Sequence, residues 1–98
     1  KEKSYMAMLK SDLRNLVTVQ ETYFADNNLY STFAQLTAEN RYSPSRNVTL
    51  STANETATGW SATATHPGLV TYTACGVYMG TAPPPDAALS ESGEVSCW

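Results

Sequence analysis

The sequence predicts an α+β domain in which one long N-terminal helix packs on a three-stranded antiparallel meander and a disulfide closes the tail. Three observations predict it. Apolar residues recur at helical spacing from Lys1 to about Asp26, and they alternate with period two between Asn47 and Met79. Two cysteines, Cys75 and Cys97, bracket a Pro-, Ser- and Glu-rich end. The expected organisation is a single domain over residues 1–98: helix 1–27, connector with a short helix 28–46, sheet 47–79, and disulfide-closed tail 80–98.

The helix is justified by its angles. At about 100° per residue, Tyr5, Met6, Leu9, Leu13, Leu16, Val17, Tyr23 and Phe24 share one arc, with Glu2 and Gln20 inside it. Met6, Leu9, Leu13, Leu16, Val17 and Phe24 are the helix's expected contribution to the core. A second line holds small or short residues: Ser4, Ala7, Ser11, Asn15, Thr18 and Thr22, with Met8 on its flank beside Val19 and Asp12. A solvated helix face usually carries long charged side chains, whereas small ones let another backbone come close. The plain polar face is the competing reading. At the start, Lys1 has no Ser, Thr, Asp or Asn cap before it, and Lys1 and Lys3 put positive charge at the positive end of the helix dipole. A helix continuing upstream is the expected explanation. At the far end, Asp26-Asn27-Asn28 supplies Asn residues able to adopt the left-handed conformation that closes a helix.

In the connector, Thr32 with Gln35 three residues on has capping-box form and predicts a short helix from Phe33 to about Glu39. Leu29, Tyr30, Phe33 and Leu36 are its expected apolar contribution. Tyr42-Ser43-Pro44-Ser45 breaks helical structure. Asn47–Thr52 then alternates, Val48 and Leu50 facing one way. Asn54-Glu55-Thr56 reads as a turn. Residues 60–65 alternate again, with Trp60, Ala62 and Ala64 on one side. Pro67-Gly68 signals a tight turn. Leu69 to Met79 is the expected third strand, with Val70, Tyr72, Ala74 and Tyr78 on one face. Trp60 and Tyr72 complete the expected core.

Cys75 and Cys97 enclose 21 residues. Cys97 is one residue from the end, in a stretch that apolar burial cannot hold down. A disulfide ties it to the strand carrying Cys75, contributing roughly 3 kcal/mol for a loop of this length, and points to an oxidising compartment. Two free core thiols are the alternative. Two distant Cys and one His make no zinc spacing.

Charged residues are only 15% of the chain, against about 25% in a typical globular domain, a hint of an extracellular setting. All six basic residues precede Asn47, and four acids without a single Lys or Arg follow it. Nucleic-acid binding needs clustered basic groups, so it is not expected. No run of about 18 apolar residues occurs. Chemistry is sparse: His66 precedes Pro67 as a turn residue, with no nucleophile or acid beside it. No cofactor, metal or catalytic residue is expected. Asp86, Glu91 and Glu94 are the weak candidates for a calcium ion, and read more simply as solubilising. Asn47-Val48-Thr49 and Asn54-Glu55-Thr56 match the N-glycosylation pattern, which Thr-rich sequences also meet by chance.

The run KSDLRNLVTVQETYFADNNLYS, followed by a Thr-rich meander containing GWSATATH and CGVYMG, resembles the globular part of a bacterial type IV pilin or a closely similar pseudopilin. The resemblance covers nearly the whole sequence, most specifically from the helix to Tyr30-Ser31. It implies a helix whose hydrophobic first half anchors the subunit in the inner membrane and later packs in a filament core. Its amphipathic second half lies on an antiparallel sheet, and a C-terminal disulfide often closes the chain. The leader-processing site and the apolar half with its acidic residue are not in these 98 residues, and the uncapped start fits their removal.

The resemblance implies a structural subunit of a pilus, polymerising without catalysis, with like subunits, the pilus assembly machinery and the inner membrane as partners. Its place is the cell surface, after inner-membrane anchoring. Ser4, Ala7, Met8, Ser11 and Asn15 become the expected filament interface. The alternatives are a pseudopilin of a type II secretion system, many of which bind calcium in the C-terminal loop, and a minor pilin or adhesin binding a surface ligand through Trp60, Trp98 or the exposed Thr face.

Overall fold

A computed structural model describes all residues, Lys1–Trp98. Helix α1 runs Glu2–Asn27 and α2 runs Phe33–Ala38; the strands are β1 Thr49–Ala53, β2 Gly59–Thr65, β3 Cys75–Gly80 and β4 Ser96–Cys97. The strands form one antiparallel sheet in the order β1-β2-β3-β4. The fold is therefore α+β, a long helix on a four-stranded meander.

Helix α1 has 26 residues, about 39 Å at 1.5 Å per residue, which matches the longest dimension of the molecule, 39 Å. Its inner face buries Leu9, Leu13, Leu16, Gln20 and Tyr23. The three leucines are fully buried, each contributing about 2 kcal/mol. Met6 and Val17 are half-buried against the same core, which continues through Leu36, Tyr42, Leu50, Trp60, Ala62, Ala64 and Val77. Two alanines on β2 face the helix where larger side chains would hold it off. Phe24 is half-buried at the edge, stacked on Tyr30 with centroids 4.8 Å apart. Asn28 closes α1 in the left-handed region, φ 61°, its N–H donating to the Phe24 carbonyl. Thr32 caps α2, accepting the Gln35 N–H at 3.1 Å.

The sheet departs from expectation in four places. The third strand does not begin at Leu69: β3 starts at Cys75, and Leu69–Ala74 is a loop. The amides of Val70, Thr71 and Tyr72 all donate to Glu2 Oε2, at 2.9, 2.8 and 2.9 Å, so they are not available for strand pairing. Tyr72 consequently leaves the core and is 39% exposed, and Val70 is 86% exposed. The sheet has four strands rather than three, because Ser96 and Cys97 pair with Gly76 and Cys75. The first strand begins at Thr49 because Asn47 takes a left-handed turn conformation, φ 67°. Ser61, expected on the outer side of the sheet, is buried; its hydroxyl donates to the Ala53 carbonyl at 3.3 Å and its cross-strand partner is Tyr78.

Cys75 and Cys97 are directly opposite in the β3–β4 pair, their Cα atoms 3.9 Å apart, and are joined by a disulfide. Trp98 continues the pairing: its N–H donates to the Ala74 carbonyl, and its own carbonyl accepts the Thr73 and Ala74 N–H groups. The Trp98 ring lies over Gly76, where a Cβ would sit 2.8 Å from the ring and 2.8 Å from the Ala62 carbonyl. Only glycine fits there.

Candidate functional site

The outer face of α1 is left uncovered by the rest of the domain. Ser4, Ala7, Ser11 and Asn15 are exposed along it, as are Thr18 and Thr22 farther on, while Met8 is half-buried on its flank. The two threonines turn back on their own helix. Thr18 Oγ1 donates to the Arg14 carbonyl at 3.4 Å and Thr22 Oγ1 to the Thr18 carbonyl at 3.2 Å. Lys3, Lys10 and Arg14 line one edge, and none of them is in an ion pair: the only two, Asp26 and Glu39, are both to Arg41. The face is thus smooth, short-chained and rimmed by free positive charge.

Three polar devices fix that helix to the rest of the chain, and all three use residues that polarity alone would assign to solvent. At the top, Glu2 receives the three amides of the 70–72 loop. These hydrogen bonds favour the charged carboxylate, Tyr72 first and Val70 second, and lower its pKa against a smaller opposing effect of burial. In the middle, Asp12 is buried and its carboxylate accepts the Ser45 N–H at 3.0 Å and the Ser45 hydroxyl at 2.8 Å. The Tyr42 hydroxyl donates to the Asp12 carbonyl at 2.7 Å. Burial, and then the Asp12 charge, push the Tyr42 phenol far above its ordinary range. Farther down, Gln20 is fully buried and pairs with the Ser31 backbone like a strand: Nε2 donates to the Ser31 carbonyl and Oε1 accepts the Ser31 N–H, both at 2.8 Å.

His66 stacks on Tyr5, centroids 4.0 Å apart, and its Nδ1 accepts the Gly68 N–H at 2.9 Å. It shapes the turn from which the 70–72 loop departs. At the opposite end of the molecule lies a depression of about 280 Å³, lined by Tyr23, Leu29, Tyr30, Gln35 and Glu55 together with Ser31 and Thr32. The Tyr30 hydroxyl donates to Glu21 at 3.4 Å, and burial followed by the Glu21 charge raises its pKa.

The acids of the tail stand apart. Asp86 Oδ1 accepts the Ala88 N–H, and Glu94 Oε1 accepts the N–H and hydroxyl of Ser90. No three His, Cys, Asp or Glu side chains, Asp86, Glu91 and Glu94 included, are gathered as a metal site. No helix is long and apolar enough to cross a membrane. Trp60 is fully buried between sheet and helix, and Trp98 is half-buried over Gly76.

The sequence singled out the exposed helix line and the cysteine pair. It missed Gln20, Asp12 and Glu2 as clamps. Glu2 and Gln20 carried a signal nonetheless, since both fall inside the apolar arc, where a polar side chain needs a partner. No protein-family model matches the chain, and no curated protein does.

Proposed function

We propose that this chain is the globular domain of a type IV pilin, a structural subunit that assembles with copies of itself through the outer face of α1. One observation carries the reading. A helix as long as the molecule buries one face against its own sheet and leaves the other uncovered along its whole length. That outer face is built of Ser4, Ala7, Ser11 and Asn15, side chains short enough for a neighbouring helix to approach closely. The resemblance of the Lys10–Ser31 run to pilins supports the same reading, as does the cross-strand disulfide at the C-terminal strand. Under it, the inner membrane and the assembly machinery are partners through a hydrophobic helix half preceding Lys1, and the mature location is a filament on the cell surface. The domain performs no catalysis.

The test combines filament analysis with two substitutions on the helix. Mass spectrometry of shed surface filaments is expected to find this sequence behind an apolar helix. In the full-length protein, Ala7→Leu with Ser11→Leu is expected to abolish filaments seen by electron microscopy. The isolated domain keeps its melting temperature within a few degrees, because exposed substitutions of this kind change stability by about 0.5 kcal/mol or less. Normal filaments from the double variant would refute the assigned face.

A further inference from the structure

The two ends of the long axis carry complementary features that one copy cannot bring together. At the top, the Glu2 carboxylate pulls the 70–72 loop onto the start of α1 and leaves Val70 86% exposed and Tyr72 39% exposed. Lys1 and Lys3 flank Glu2 in the chain, and neither is in an ion pair. At the bottom, the helix end, the connector and the β1–β2 turn enclose the depression lined by Tyr23, Leu29, Tyr30, Gln35 and Glu55. Leu29 is 46% exposed there, the only other large apolar side chain that the surface leaves open. Glu55 in its wall and Glu21 on the Tyr30 hydroxyl carry negative charge with no Lys or Arg paired to either, and Arg41, over the Tyr23 ring, is already paired with Asp26 and Glu39.

We infer that these ends dock on each other between copies: the Val70 knob of one chain enters the Leu29–Tyr30 depression of the next, with Lys3 approaching Glu55 and Glu21. Size admits this occupant: at about 280 Å³ the depression has room for one or two amino-acid side chains. Charge selects a second copy, because the positive rim that complements Glu21 and Glu55 is supplied by this same chain. A knob and its pocket on opposite ends form a heterologous contact, and such contacts extend into open chains instead of closing into a dimer. The contact deepens the subunit reading and rests on it, since it adds a longitudinal junction to the lateral one along α1. It is small. Interfaces under about 1,200 Å² belong to transient complexes, so the isolated domain shows this one only at high concentration, and assembly holds it in place.

The test uses a chain with one end disabled. Val70→Asp alters an almost fully exposed side chain and leaves the fold intact, which superposition of amide signals away from the loop verifies. Isotope-labelled Val70→Asp protein, whose bottom end is unchanged, is titrated to roughly millimolar concentration with unlabelled wild-type chain. Signals of Leu29, Tyr30, Ser31, Gln35 and Glu55 are expected to move, and to move back when salt is raised to about 1 M, where the Debye length is near 3 Å. Titration with unlabelled Val70→Asp is expected to bind roughly tenfold more weakly. A mixture of Lys3→Glu with Glu55→Lys is expected to restore the pairing that each variant alone weakens. Equal shifts from both titrants, shifts confined to the outer face of α1, or no shifts at all would each overturn the junction. Filament composition tests the subunit reading separately, so either can fail while the other stands.

Discussion

Replacing Gln20 with Leu tests whether the helix is held to the connector by side-chain mimicry of a strand. Gln20 is 0% exposed and makes two 2.8 Å hydrogen bonds to the Ser31 backbone, whose residue is 2% exposed. Gln20→Leu keeps nearly the same volume but leaves a buried N–H and a buried carbonyl without partners. Each orphaned group costs about 1–3 kcal/mol, and the apolar substitute recovers part of that, so a net loss of about 3 kcal/mol is expected. For a domain of this size that lowers the melting temperature by roughly 12–24 °C, measurable by circular dichroism. Gln20→Glu adds a sign to the test. Its carboxyl retains the N–H acceptor but turns a second oxygen toward the Ser31 carbonyl. Burial and that carbonyl both favour the protonated form, which raises the folded-state pKa above the unfolded value of about 4.3. The variant is therefore most stable below that value and loses stability as pH rises through the folded pKa. Gln20→Leu as stable as wild type, or Gln20→Glu insensitive to pH between 4 and 7 at about constant ionic strength, would refute the clamp.

Two further outcomes follow from the same contacts. Glu2 behaves oppositely to the Gln20→Glu carboxyl, because its folded pKa is lowered. The stability it lends the 70–72 loop is present at neutral pH and is lost as pH falls through the folded pKa, below the ordinary glutamate range. Faster hydrogen exchange of the Val70, Thr71 and Tyr72 amides, relative to those of β2, is the expected readout, and Glu2→Gln should show it already at neutral pH. Reducing the Cys75–Cys97 bond is expected to cost roughly 3 kcal/mol and to free β4 first, with Trp98 fluorescence shifting to the red as its ring leaves Gly76.

What could be read from the sequence was local, and what could not was long-range. The 3.6-residue period placed Leu9, Leu13 and Leu16 correctly because all three answer to one sheet. The Asn28 and Thr32 caps were equally legible, since each is decided within three or four residues. The third strand was not. Val70, Tyr72 and Ala74 alternate as a strand does, but the contact that decides their conformation comes from Glu2, 68 to 70 positions away. A two-residue strand such as Ser96–Cys97 has no period to detect, and only its cysteine hinted at it. Asp12 looked like a flank residue by angle; Tyr42 and Ser45, folded over it from 30 and 33 positions on, make it interior. For the outer face of α1 the legible feature was side-chain size, and the domain places that line in the open.

The placement of the disulfide between facing residues of β3 and β4 also sets how far the domain can be stretched. A pull applied between Lys1 and Trp98 passes through sulfur from Cys97 to Cys75 and bypasses the 21 residues between them. Complete unravelling then yields about 260 Å of contour instead of about 330 Å at roughly 3.4 Å per residue. The tail loop bears no load at any extension. Under tension the central strand β3 remains fused to its outer neighbour, and the extensible part of the molecule is the helix, the connector and the first two strands.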